Sequence, residues 1–250
     1  MNCILSEPCT LHAGPECTRL CPSYIALHGL SGSGGRVGAA NLPDGYRFVT
    51  LNNSVAREEQ AEAYRLIDAY IATFSRQFDE DSAQIKSLYL FSESPGTGKT
   101  TTAIAVLNAW IISNYIGSLR RHRQPSDRPG YLLDVNAWQT DYNTFNRARV
   151  PDSVAEPAAE RYYRQQSATI AAPFAVLDDI GVRDATEGFR SDLHAVINAR
   201  VAAALPTVYT SNIPLSELGR LYDARLADRV RDMCMEVPFV GGSKRGLRKA

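Results

Sequence analysis

The sequence lacks an excess of charge of either sign: 27 Lys and Arg face 27 Asp and Glu across 250 residues, a formal net charge of zero. That balance excludes a polybasic chain whose whole surface attracts nucleic acid, while leaving room for local basic patches. Lysine is scarce, arginine supplying 23 of the 27 cations. No stretch pairs a basic start with an apolar run, as an export signal would. The most apolar helical stretch, Ala103–Ile112, is about half the length a bilayer demands and contains Asn108. A soluble, cytoplasmic chain with no membrane partner is therefore expected. Internal repeats are absent. Cysteine is nearly absent after residue 21, yet Cys3, Cys9, Cys17 and Cys21 crowd the start.

What is present is a sequence of alternating patterns. The run Ser31–Gly35 (SGSGG) reads as a flexible connection, so a small N-terminal module over 1–50 and a larger domain over 51–250 are expected. After Ser54, apolar residues from Ala63 to Phe78 recur at spacings of three and four, predicting a helix. Strands are predicted over Ser87–Ser92, Tyr131–Val135, Phe174–Asp178 and Pro206–Thr210. Helices are predicted over Thr100–Tyr115, about 137–172 with breaks near Pro151 and Pro157, Phe189–Leu205 and Leu215–Met235. Apolar strands separated by helices imply an α/β fold: a parallel sheet covered by helices on both faces.

Ser94-Pro95-Gly96-Thr97-Gly98-Lys99-Thr100 lies between the first strand and its helix, the setting of a P-loop. Gly96 and Gly98 let backbone N–H groups converge on phosphate oxygens, and the following helix adds its dipole. Lys99 is expected to reach the β- and γ-phosphates of ATP, and the Thr100 hydroxyl to bind Mg²⁺, with Thr101 completing the nucleotide-binding set. The full pattern asks for glycine at position 93, where this chain has Glu93. Farther on, Phe174-Ala175-Val176-Leu177 delivers Asp178 and Asp179 at a strand end, the form of a Walker B segment. Asp178 is expected on the Mg²⁺ side, and Asp179 where a carboxylate activates water, one methylene shorter than the usual glutamate.

Taken together, SPGTGKT, LDDIG, PTVYTSN and ARLADRVRD resemble, in that order, the DnaC/DnaI-like replicative-helicase loaders and IstB-like transposition ATPases, a branch of the AAA+ (ASCE) P-loop NTPases. The resemblance covers roughly residues 50–245 and implies further roles. Asn212 matches the sensor 1 residue that orients the attacking water. Arg229 matches an arginine finger reaching the nucleotide of a neighbouring subunit, which implies a homo-oligomer; Arg225 competes for that role. Arg245 matches the sensor 2 region loosely. The implied function is an ATP-hydrolysing helicase loader that binds replicative DNA helicase and single-stranded DNA, in a bacteriophage or mobile-element version. The alternatives are an IstB-like transposition helper and a non-hydrolysing nucleotide-dependent switch, the latter kept open by Glu93 and Asp179.

Cys17 and Cys21 have common zinc-ligand spacing, and Cys3 and Cys9 a looser one, with His12 as a substitute ligand. A structural Zn²⁺ held by Cys3, Cys9, Cys17 and Cys21 is expected, with reduced thiols and disulfides as open alternatives. By resemblance, such a module contacts the helicase. Arginines 120, 121, 123 and 128, and arginines 147, 149, 161 and 164 beside Tyr142, Phe145, Tyr162 and Tyr163, are candidate single-strand contacts. The alternative is a solvated helical face with the tyrosines packed inward.

Overall fold

A computed structural model describes residues 2–79, 81–181, 185–220 and 222–243. Its helices are α1 (Pro22–His28), α2 (Gly35–Ala39), α3 (Ala61–Ile71), α4 (Lys99–Arg120), α5 (Val135–Asn146), α6 (Asp152–Ala171), α7 (Glu187–Ala202) and α8 (Ala224–Met233). Its strands are β1 (Ser87–Phe91), β2 (Tyr131–Asp134), β3 (Ala175–Asp178), β4 (Thr207–Ser211) and β5 (Cys234–Pro238). The chain divides into two units, one of residues 1–85 and 101–132, the other of residues 86–100 and 133–250.

In the first unit the N-terminal residues are built in by specific bonds. Buried Arg36 donates to the carbonyls of Ala26, Pro125 and Ser126. Asn108 of α4 donates to Val49 O at 2.8 Å, and Tyr64 of α3 shares a 3.0 Å bond with Thr102 of α4. The Gly/Ser run is no flexible connection. Gly34 N–H donates to His28 O at 2.8 Å. Gly35 has φ +60, and a Cβ there would lie 2.5 Å from the Leu27 carbonyl carbon. Glycine is used because α1 and α2 approach too closely for a side chain.

His28 is buried, its ring between Tyr24 (4.8 Å) and Phe48 (4.9 Å). Nε2 accepts the Ile4 N–H at 3.3 Å, while the buried Nδ1 has no hydrogen-bond partner among the described residues. Burial pushes its pKa down to about 4. The unfolded chain takes up this proton near pH 6.5, so stability is complete above that value and falls as the pH drops towards 4, by about 3 kcal/mol. Denaturant unfolding of this unit at pH 7 and pH 4.5 is expected to show that loss, and His28→Phe to flatten its pH dependence. An unchanged slope in the variant would remove His28 as the cause.

The strands belong to the second unit except for Tyr131 and Leu132 of β2, and the sheet order is β2-β3-β4-β1-β5. The pairs β1–β4, β1–β5 and β3–β4 are parallel, with Tyr89 opposite Tyr209 and Val176 opposite Val208. Residues of both parities are fully buried, Tyr89 and Leu177 as well as Leu88 and Val176, so both faces of the sheet are covered. On the Tyr89 face the core is built from Trp138, Tyr162, Phe189, Leu193, Ile197, Leu226 and Val230 of α5 to α8.

Three local expectations change. The helix expected over Leu215–Met235 is a short 3-10 turn over Leu215–Arg220 and then α8, which starts at Ala224 and ends at Met233. The chain continues as β5, paired with β1 from Ser87↔Cys234 to Phe91↔Pro238. Pairing with an open sheet edge outweighs the helical spacing, so Cys234 opens a strand. Pro157 lies inside α6, whereas Pro151 caps it. Helix α4 runs for 22 residues and is long and apolar enough to cross a membrane by length and composition, yet 61% of its most apolar window is buried in the protein.

Candidate nucleotide site

Parallel strands bring their C-terminal ends to one edge, where the loops that follow β1, β3 and β4 meet. The loop after β1 is the expected P-loop, Ser94 to Thr100, closing into α4. Gly96 and Gly98 have φ +75 and +98, values that favour glycine. Glu93 is exposed and is not among the described residues with positive φ, so this position accommodates a Cβ.

Lys99 is 8% exposed. Its Nζ donates to Asn212 Oδ1 at 2.7 Å, to Ser94 O at 3.2 Å and to Ser92 O at 3.4 Å. Thr100 Oγ1 donates to both Asp178 oxygens, at 2.9 and 3.1 Å. The structure therefore joins two pairs that the sequence places far apart, Lys99 with Asn212 and Thr100 with Asp178. Burial raises the Asp178 pKa; hydrogen bonds from Thr210 and Thr100 oppose that rise, and Asp134 and Asp179 add to it. A divalent cation beside Asp178 would favour the carboxylate. A hydroxyl and a carboxylate side by side at a P-loop are the oxygen donors that Mg²⁺ takes, so these residues fit the ion.

Asp179 has φ +61, in the left-handed region that non-glycine residues seldom occupy. Its N–H donates to Thr210 Oγ1 at 2.8 Å, and its Oδ2 accepts from Asn136 Nδ2 at 2.9 Å. Thr210 and Asn136 were not picked out from the sequence. Both are polar residues next to strand ends, in PTVYTSN and YLLDVN, but only sheet register shows which carboxylates they meet.

Arg229 is exposed on α8 and donates to Asn198 Oδ1 of α7 at 3.2 Å. Arg225 is exposed one turn earlier on the same helix. Thr101 is buried in α4. Arg245 lies outside the described residues. Of the aromatic residues read as base-stacking candidates, Tyr162 is fully buried, stacked on Trp138 at 4.5 Å and 6°, its hydroxyl donating to Asp192 at 2.6 Å. Tyr142 and Phe145 pack against it, and Tyr163 is 56% exposed. Arg161 is paired with Asp141 at 2.6 Å, which ties α6 to α5.

The expected zinc site is not supported. Among the described residues, no three His, Cys, Asp or Glu side chains are grouped to hold a metal ion. Cys3, Cys9, Cys17, Cys21 and His12 do line one small cavity of about 30 Å³. Burial pushes the Cys3 thiol pKa up, and the neighbouring Cys9, Cys21 and Cys17 add to the rise.

No family model matches the chain, and no curated protein does. Solved structures do. The structure of DnaI is 18% identical with a TM-score of 0.54, over 82% of this chain and 94% of that one. The DnaC helicase loader is 18% identical with a TM-score of 0.53, over 79% and 100%. Domain III of the Thermotoga maritima replication initiation protein DnaA is 15% identical with a TM-score of 0.52, over 81% and 70%. The chain shares the fold of these structures, a parallel α/β sheet with a glycine-rich loop after its first strand. At these identities the likeness extends to the fold, and the site chemistry rests on the residues themselves.

Proposed function

We propose that the protein is an ATP-dependent helicase loader of the DNA-replication machinery, binding a replicative helicase and single-stranded DNA. The observation that carries the nucleotide part is the meeting of Thr100 with Asp178 beside a P-loop lysine bonded to Asn212. In this reading the P-loop N–H groups and Lys99 hold the phosphates, while Thr100 and Asp178 hold Mg²⁺. When bound, the ion withdraws electron density from the phosphate oxygens. Asp179 and Asn212 orient the attacking water. The exposure of Arg229 on α8 favours a role on a neighbouring subunit's nucleotide. The helicase assignment draws on the shared fold with DnaI and the DnaC helicase loader. Exposed Arg147, Arg149, Arg164 and Tyr163 are the proposed single-strand contacts. Arg161, committed to Asp141, serves the α5–α6 pairing instead.

The test joins capture by a hexameric replicative helicase, with and without ATP, to hydrolysis measured across protein concentrations. Nucleotide-dependent capture and a specific activity that rises with assembly are expected. Arg229→Ala is expected to leave nucleotide affinity within about twofold and to lower assembled turnover by about 10³. Unchanged turnover at verified assembly would transfer the role to Arg225 or abolish it. A non-hydrolysing switch is favoured by one observation, the Asn136 bond that holds Asp179. Nucleotide-dependent capture without turnover would select it.

A further inference from the structure

One hydroxyl serves both aspartates of the site, Asp178 at its carboxylate and Asp179 at its backbone. Thr210 on β4 is 2% exposed. Its Oγ1 donates to Asp178 Oδ1 at 2.7 Å and accepts the Asp179 N–H at 2.8 Å. A hydroxyl has one proton to give and two lone pairs. A backbone N–H can only donate, so the threonine proton is directed to Asp178. The following N–H, that of Ile180, donates to the Thr210 carbonyl at 3.0 Å. Side chain and main chain of Thr210 therefore both hold the left-handed turn on which Asp179 stands. A buried position in a parallel strand is ordinarily filled by an aliphatic side chain, as Val208 is on the same strand. Here a hydroxyl of the same shape is buried instead, and both of its bonds to this loop end at residues 178 and 179.

We propose that Thr210 is the positioning residue of this site: its hydroxyl aims the Asp178 carboxylate at Thr100 for a divalent cation and, in the same act, fixes the backbone of Asp179. The proposal rests on the reading of the site as one for nucleotide and magnesium. Loading of the cation and placement of Asp179 are then linked through a single oxygen. Losing that oxygen weakens cation binding while the P-loop still grips phosphate through its backbone and Lys99.

Thr210→Val keeps shape and β-branching and removes both bonds, whereas Thr210→Ser keeps the hydroxyl. The measurement is Mn²⁺ binding by electron paramagnetic resonance in the presence of a non-hydrolysable ATP analogue, beside analogue affinity in EDTA. Thr210→Val is expected to weaken Mn²⁺ by about ten- to a hundredfold and to leave metal-free analogue affinity within about twofold, with Thr210→Ser restoring the wild-type Mn²⁺ curve. Should Thr210→Val fail to fold, Thr210→Ala is read in the same titration. Wild-type Mn²⁺ affinity in the variant overturns the proposal. So does an equal loss of metal-free analogue binding, because that marks a general structural role. If the wild-type protein itself binds the analogue no better with Mn²⁺, the nucleotide reading fails, and Thr210 falls with it.

Discussion

Lys99→Ala is expected to weaken nucleotide binding by at least about 100-fold, the loss of two or so charge-assisted bonds to phosphate. The ammonium is nearly buried, held at the mouth of α4 by Asn212 and by the carbonyls of Ser92 and Ser94. Those oxygens keep it at the loop, so it is placed for phosphate before any ligand arrives. Alanine removes the charge and leaves the glycine turn intact, so the melting temperature is expected to stay within a few degrees while affinity collapses. Titration with a fluorescent nucleotide checks this. Affinity within tenfold of wild type would mean that the loop binds through its backbone alone, and the assignment of Lys99 would be lost.

The largest effect on stability is expected at Arg200. Its guanidinium is fully buried and bonds to neutral oxygens: Thr169 O at 2.6 Å, Ala172 O at 2.8 Å, Pro206 O at 3.0 Å and Thr207 Oγ1 at 2.8 Å. Burial lowers its pKa to about 10, which leaves it charged at neutral pH. Thr169 and Ala172 lie at the C-terminal end of α6, whose free carbonyls favour a cation. Thr207 opens β4, opposite Ala175 at the start of β3. One side chain thereby ties together the entrances of the two strands that deliver Asp178, Thr210 and Asn212. Arg200→Leu removes the cost of a buried charge but takes a donor from three carbonyls and a hydroxyl, of which Pro206 O keeps the Ala175 N–H and Thr207 Oγ1 keeps its bond to Leu205 O. The net loss is expected at about 3 to 5 kcal/mol. That corresponds to a fall in melting temperature of roughly 10 °C. Arg200→Lys, with fewer donors, is expected to fall between. Calorimetry settles the order, and an Arg200→Leu protein as stable as wild type would refute the account.

Much of the candidate site was legible in the sequence, for a physical reason. A P-loop and a Walker B strand are contiguous segments, so Gly96, Gly98, Lys99, Thr100 and Asp178 announce themselves through local spacing. The four apolar strands were equally plain, because burial on both faces writes itself as an unbroken apolar run. What escaped depends on register. Thr210 meets Asp178 because β3 and β4 align Ala175 with Thr207, a fact that no window around either strand contains. Asn136 meets Asp179 for the same kind of reason. Strand β5 escaped because Cys234–Pro238 follows directly on an amphipathic helix and its partner lies more than a hundred residues earlier. The Gly/Ser run misled in the other direction. Its composition resembles a linker, and only the packing of α1 on α2 shows that Gly35 is there for want of space.

The two tryptophans fall one in each unit. Trp110 lies in the first, nearly buried, its ring edge-on to Phe74 at 5.0 Å and its indole N–H donating to Pro129 O. Trp138 lies in the second, fully buried against Tyr162. Intrinsic fluorescence therefore carries a separate optical probe for each half of the molecule. Trp110→Phe and Trp138→Phe would give two proteins whose emission follows one unit apiece, and nucleotide titrations of that pair would show how far the response to ligand spreads beyond the unit that holds the P-loop.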